Sequence, residues 1–248
     1  MEMQRVLRLL YPPQCIGCDG LVATEAALCA SCWRQTPFLN GLVCDSCGAP
    51  LRGEDGTAAG NSAGADAEYC DDCLSHPRPW DRGRAALLYR GVGRDIVLRL
   101  KHGDRTELAG PAGLWLAHAA QPLVNGETLI APVPAHWRRL FLRRYNQAAL
   151  IAQNVASELN LPWVPDLLQR VRATPDQGHR SYDARFANVE GAIVAHPRRR
   201  SQMAGRHVLI VDDVMTSGAT LSAATGAALA GGAGRVSVAV LARVAERV

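Results

Sequence analysis

From residue 84 onward the apolar residues of this chain fall into two alternating patterns, and before it into almost none. Short continuous runs stand at Ala85 to Tyr89, Leu129 to Val133, Val208 to Val211 and Val236 to Leu241. Runs of that length without polar alternation suit strands buried on both faces of a parallel sheet. Between them lie stretches of helical spacing. Asp95 to Lys101 turns Ile96, Val97 and Leu100 to one side, Leu108 to Ala120 follows with Pro111 near its start, and Leu221 to Ala230 is a further helical run. Asn146 to Asn160 stacks Ile151, Val155 and Leu159 on one face, with Asn146 as its N-cap. Alternation of this kind predicts an α/β fold, a parallel sheet with flanking helices and a ligand crevice at the carboxyl ends of the strands.

The first 80 residues lack such a pattern and hold all 8 cysteines. They form C-x-x-C pairs at Cys15/Cys18, Cys29/Cys32, Cys44/Cys47 and Cys70/Cys73. Two residues between cysteines is the spacing of a zinc knuckle, and two knuckles complete one tetrahedral site, so the pairs imply two structural Zn²⁺ ions. An iron–sulfur cluster and redox-active pairs are the competing readings, the latter normally set in a βαβ pattern that is absent here. In sequence order the sites are Cys15/18/29/32 and Cys44/47/70/73, with interleaved pairing also open. The segment between Cys47 and Cys70, rich in Gly, Ala and acids, reads as a disordered insertion, and His76 to Trp80 as a linker. The chain thus divides into a zinc-binding region, 1–80, and an α/β domain, 81–248.

Composition narrows the partners. No apolar run reaches the ~18–20 residues of a membrane span, and the start has no small-residue cleavage site. A cytoplasmic protein is expected. A net charge of +4 suggests anionic ligands without requiring nucleic acid. Lys101 is the only lysine among 27 basic residues, the rest being arginine, which grips phosphate bidentately.

The chemistry concentrates at Val208 to Leu221, VLIVDDVMTSGATL. A buried strand leads to Asp212 and Asp213, then to the small, hydroxyl-rich loop Thr216-Ser217-Gly218-Ala219-Thr220 and a helix start. Strand, small-residue loop and helix N-terminus together make a phosphate cradle, because free N–H groups and the helix dipole favour an anion. Gly218 lets the backbone come close. There is neither a Walker Gly-Lys-Ser/Thr nor a G-x-G-x-x-G. Carboxylates immediately before the cradle suit a sugar phosphate, since they accept from two ribose hydroxyls. The run resembles the phosphoribosyl pyrophosphate (PRPP) motif of type I phosphoribosyltransferases. An ordinary strand-to-helix turn is the bland alternative.

Two other segments supply polar groups. After Pro132-Val133-Pro134-Ala135-His136 comes WRRLFLRRYNQA, where Arg138, Arg139, Arg143 and Arg144 offer cations to a pyrophosphate. Arg144, Asn146 and Gln147 are the chosen contacts, the others being a solvated face. Arg170 to Val194 reads as long, polar and irregular, a candidate lid carrying Arg172, Gln177, Arg185 and Asn188. Closing over PRPP, it would shield an oxocarbenium-like transition state from water, with Arg172 and Arg185 as its catalytic cations.

With LLYPPQCIGC, the four cysteine pairs, APVPAHWRRLFLRRYNQA, the stretch Thr174 to Asn188 and VLIVDDVMTSGATL in this order, the chain resembles the ComF family of competence and GntX-like proteins over nearly its whole length. It departs at RRYNQ, where Arg-Gly-Phe-Asn-Gln is commoner, at Gly-His-Arg-Ser, where a Gly-Leu-Ser run is usual, and in its longer insertion. The resemblance implies a double zinc ribbon before a type I phosphoribosyltransferase domain. It assigns PRPP to Asp212, Asp213 and Thr216 to Thr220, with Mg²⁺ bridging pyrophosphate and ribose, and implies a part in DNA uptake beside other competence proteins. Three functions follow: transfer of phosphoribosyl to an unknown acceptor, single-stranded DNA binding without catalysis, or PRPP sensing by a regulator.

Overall fold

The computed structural model describes residues 11–51, 67–102, 105–137, 145–174 and 181–245 of the 248-residue chain. Residues 52–66 of the insertion, Arg138, Arg139, Arg143, Arg144 and Gln177 lie outside them. In chain order the elements are α1 (Ala30–Gln35), α2 (Asp71–Ser75), β1 (Gly83–Leu88), α3 (Gly91–His102), α4 (Ala109–Ala120), β2 (Leu129–Pro132) and α5 (Gln147–Leu159). There follow β3 (Leu168–Arg170), α6 (Tyr182–Val189), β4 (Ile193–Ala195), α7 (Arg200–Met203), β5 (His207–Met215), α8 (Ala219–Ala230) and β6 (Arg235–Arg243).

Four of the strands form a parallel sheet in the order β1-β6-β5-β2, the architecture that the apolar runs predict. Because successive strand side chains leave on opposite faces, the run 208–211 splits evenly. Val208 and Ile210 enter one buried cluster with Leu221 and Ala224 of α8, while Leu209 and Val211 enter another with Leu116 of α4 and Ile151 and Val155 of α5. Both faces are covered, which is why the sequence shows no polar alternation there. α5 begins as its sequence indicates: the Asn146 side chain accepts from the Ala148 N–H at 3.1 Å, and Asn160 ends the helix in the left-handed region.

Three readings need correction. The segment 170–194 is not irregular throughout: β3 and β4 pair as an antiparallel ribbon, and α6 lies between them, capped by Ser181. Tyr182, Phe186 and Val189 stand at helical spacing in it, a stripe of only two turns set in a polar segment. The helical stretch read from Asp95 to Lys101 starts earlier, at Gly91, and runs through Lys101 to His102 as α3. His76 to Trp80 is no loose linker either. Trp80 is buried, its indole Nε1 donates to Ser46 O at 2.6 Å, and it shares one apolar cluster with Cys44, Cys47, Cys73 and the β5–β6 core.

Candidate functional site

β5 parts from β2 at Val211 but stays paired with β6 as far as Met215 and Arg243. Asp212 and Asp213 therefore sit within the strand, where only one edge is laddered, and not beyond its end as the apolar run suggests. Consecutive strand residues face opposite ways, and Asp213 turns to α3, where its Oδ1 lies 3.2 Å from Lys101 Nζ. Asp212 accepts from the Asp213 backbone N–H at 2.9 Å. Burial, and then the Asp213 charge, push the Asp212 carboxyl up to about 7, against the Asp213 N–H, Lys101 and Arg170, which favour its charged form. The pair thus carries less than its full negative charge until something stabilises it.

Beyond Met215 the chain turns through Thr216, Ser217 and Gly218 into α8. Gly218 is the N-cap residue and has φ 81°. A side chain there would be strained, and its Cβ would stand 3.0 Å from the Trp80 ring. The glycine is needed for the left-handed turn and for the tryptophan packed behind it, a neighbour that the sequence pattern did not announce. The first turn of α8 leaves backbone N–H groups without helical partners, the feature that makes such a terminus anion-binding.

The loop is held from behind by two arginines. Arg78 Nη1 donates to Ser217 O at 2.7 Å and to the Tyr182 hydroxyl at 3.2 Å, and its Nη2 donates to Asp72. Arg243 Nη1 donates to Thr216 O at 2.7 Å and to Met215 O at 3.3 Å. A cleft of about 870 Å³ opens beside this clamp, bounded by Tyr69, Asp72, Tyr182, Arg185, Thr216 and Arg243.

The eight cysteines form two groups in sequence order, Cys15/18/29/32 and Cys44/47/70/73, with the sulfurs of each group within 4.8 Å of one another. Four thiols so placed fit a tetrahedral Zn²⁺. Without a cation they oppose one another's ionisation: burial and the neighbouring Cys47 push Cys70 up to about 11. At Cys15 burial acts the same way, but N–H groups of Cys29 and Gly17 outweigh it and bring the thiol down to about 6.

Of the other candidate residues, Asn146 and Gln147 spend side-chain bonds on structure. Asn146 Nδ2 donates to Val133 O at 3.0 Å, and Gln147 Nε2 to Lys101 O at 3.5 Å. Arg172 donates to the carbonyls of Asn188 and Glu190 at 3.2 and 2.6 Å, closing the loop end of the ribbon. Arg185 lines the cleft together with Thr216 and Ser217, so these three are brought together. Lys101, Arg78, Asp72 and Arg243 escaped sequence reasoning as site residues. Only Lys101 carried a signal, as the single lysine of an arginine-rich chain.

A double zinc ribbon domain matches residues 6–74, and a phosphoribosyl transferase domain matches residues 146–248. The chain is 31% identical over 241 residues to the DNA utilization protein YhgH of Salmonella typhi, covering 95% of this chain and 99% of that one. It is 30% identical over 243 residues to the protein of that name in Escherichia coli K12, with 95% and 99% covered. To Competence protein F of Haemophilus influenzae it is 26% identical over 215 residues, covering 84% and 87%. No helix among the described residues is long and apolar enough to cross a membrane.

Proposed function

The chain belongs to the ComF family, a double zinc ribbon joined to a phosphoribosyltransferase domain, and from that membership we propose that it binds PRPP at the Asp212–Thr220 segment. The carrying observation is the juxtaposition on one strand end of a half-buried acid pair, a cation at Asp213 and a glycine-led helix terminus. Ribose hydroxyls donate to Asp212 and Asp213, and N–H groups of the Thr216–Thr220 loop take the 5′-phosphate. Lys101, already at the acid pair, faces the pyrophosphate side. Mg²⁺ prefers oxygen ligands and would draw them from the pyrophosphate and ribose beside these acids. Arg144, Asn146 and Gln147 remain the proposed support of the pyrophosphate segment, and Arg172 and Arg185 of the closing one. The relatives' names, DNA utilization and competence, support a role for this binding in the use or uptake of DNA. Transfer of the phosphoribosyl group to an acceptor is the reaction such a site serves; pyrophosphate release from PRPP with and without nucleobases or DNA reads it.

The proton on Asp212 gives a direct test of the binding mode. A carboxyl raised from 3.8 to about 7 contributes stability fully below pH 3.8, and loses it as the pH rises through 7. Hydroxyl donors to the carboxylate reward the ionised form, so the affinity of the parent for PRPP with Mg²⁺ should rise between pH 6 and 8. PRPP phosphates titrate near pH ~6 themselves, and an Asp212→Asn variant isolates that part. Calorimetry showing the same pH profile in the parent and in Asp212→Asn would remove Asp212 from the site.

A further inference from the structure

Three successive carbonyls at the head of the loop, those of Met215, Thr216 and Ser217, accept from Arg243 and Arg78. Both arginines are withdrawn from solvent, with side chains 1% exposed for Arg78 and 6% for Arg243. Both reach Asp72, Arg78 closely and Arg243 through Nη2 at 3.4 Å. Asp72 stands between Cys70 and Cys73, on the short helix α2, which Cys70 precedes and which contains Cys73. One carboxylate of the second cysteine centre thus anchors both cations that hold the loop.

The peptides of this loop are trans, and in a trans peptide the carbonyl of one residue and the N–H of the next point in opposite directions. Fixing the Thr216 and Ser217 carbonyls toward the arginines therefore turns the N–H groups of Ser217 and Gly218 the other way, away from the clamp. A loop of Thr, Ser and Gly has little stiffness of its own, and a peptide flip would present carbonyl oxygen to a phosphate instead. We propose that Arg78 and Arg243, anchored on Asp72, are positioning residues that aim the loop's N–H groups at the 5′-phosphate, so that the second cysteine centre sets phosphate affinity. This rests on the PRPP reading of the loop. Arginine suits the task because one planar fork serves several acceptors at fixed angles, which lysine cannot do. Arg78 does so at Ser217 O, Tyr182 and Asp72.

The test uses the full-length, zinc-loaded protein and calorimetry with ribose 5-phosphate and, separately, PRPP with Mg²⁺. Arg78→Met should weaken both ligands by the same factor, about tenfold or more for the lost charge-assisted bond, while zinc content stays that of the parent. Arg78→Lys should recover part of the loss. A role in stability alone would lower the melting temperature and leave the affinity of the folded protein unchanged. Asp72 is more exposed, so Asp72→Asn serves if Arg78→Met does not fold; a loss of about threefold or more is expected from the weakened anchor. Parent affinity in a folded, zinc-replete Arg78→Met or, failing that, in Asp72→Asn overturns the positioning role and leaves the PRPP reading standing. A parent that binds neither ligand overturns both.

Discussion

Cys15, Cys18, Cys29 and Cys32 form a centre with Cys15 and Cys32 buried but Cys18 exposed, and their surroundings are tied down by surface ion pairs such as Asp19 with Arg99 at 2.9 Å and with Arg105 at 3.3 Å. Cys44, Cys47 and Cys73 are buried in the same cluster as Val208, Ile210 and Val238 of the sheet. Around them Asp45 accepts from Arg82 at 2.9 Å and Arg84 at 2.7 Å, Gly83 N–H donates to Asp45 O at 2.8 Å, and Asp72 holds the arginine clamp. Identical ligand chemistry therefore serves two ends. The first centre staples a surface segment, with Ile16 as its apolar anchor. The second continues the core of the α/β domain and stands behind the Thr216–Thr220 loop. An ion pair exposed to solvent contributes little, ~0–1 kcal/mol, whereas buried packing and buried charge pairing cannot be lost cheaply.

The largest difference between the centres should appear on removing one thiol from each. Cys47→Ser opens the second centre, where structural zinc carries on the order of 10–16 kcal/mol of binding energy. It is expected to lower the melting temperature of the whole protein and to abolish measurable ribose 5-phosphate binding. If calorimetry finds parental affinity, the second centre is as peripheral as the first. The next effect down concerns the seam between the second centre and β1. A Cβ on Gly83 would collide with Ser46 O, so Gly83→Ala should cost ~1–3 kcal/mol, read by denaturant unfolding. An unchanged midpoint would mean that the seam yields. The smallest effect is expected at the first centre. Cys18→Ser should lose one zinc by elemental analysis and loosen residues around 15–32, yet leave PRPP affinity within about twofold, since a shift below RT ln 2 is the ordinary effect of a distant site. A tenfold loss there would erase the distinction.

The sheet was legible in the sequence because its strands are buried on both faces, so each is a bare apolar run; Val208 to Val211 needed no partner to be recognised. The cysteine centres were legible because their spacing is itself the ligand geometry, and the sequence-order pairing is the one the structure forms. What hid was everything made by contact across the chain. Arg78 lies in a Pro-Arg-Pro stretch that reads as a linker, and its partner carbonyl, at Ser217, is 139 residues away. Asp72 lies between two cysteines of a knuckle, and Arg243 falls two residues beyond the last apolar run, at Leu241. Gly218 reads from the sequence as room for a phosphate, and the structure adds the Trp80 ring packed against it. α6 was hidden for another reason: Tyr182, Phe186 and Val189 do stand at helical spacing, but the stripe is only two turns long and of its eight residues only Val189 is buried.

The most direct measurement is calorimetry of PRPP with Mg²⁺ on the parent and on the Asp212→Asn/Asp213→Asn double variant, with zinc content monitored in both. The change keeps the shape of the strand end and removes both carboxylates and the partner of Lys101. Charge-assisted hydrogen bonds contribute ~1.5–3 kcal/mol each, so binding should weaken by more than about a hundredfold. Zinc should remain as in the parent, because neither acid lies in a cysteine centre. A double variant that binds PRPP as tightly as the parent would contradict the placement of the ribose on this acid pair, and with it the reading of the strand end as a PRPP site.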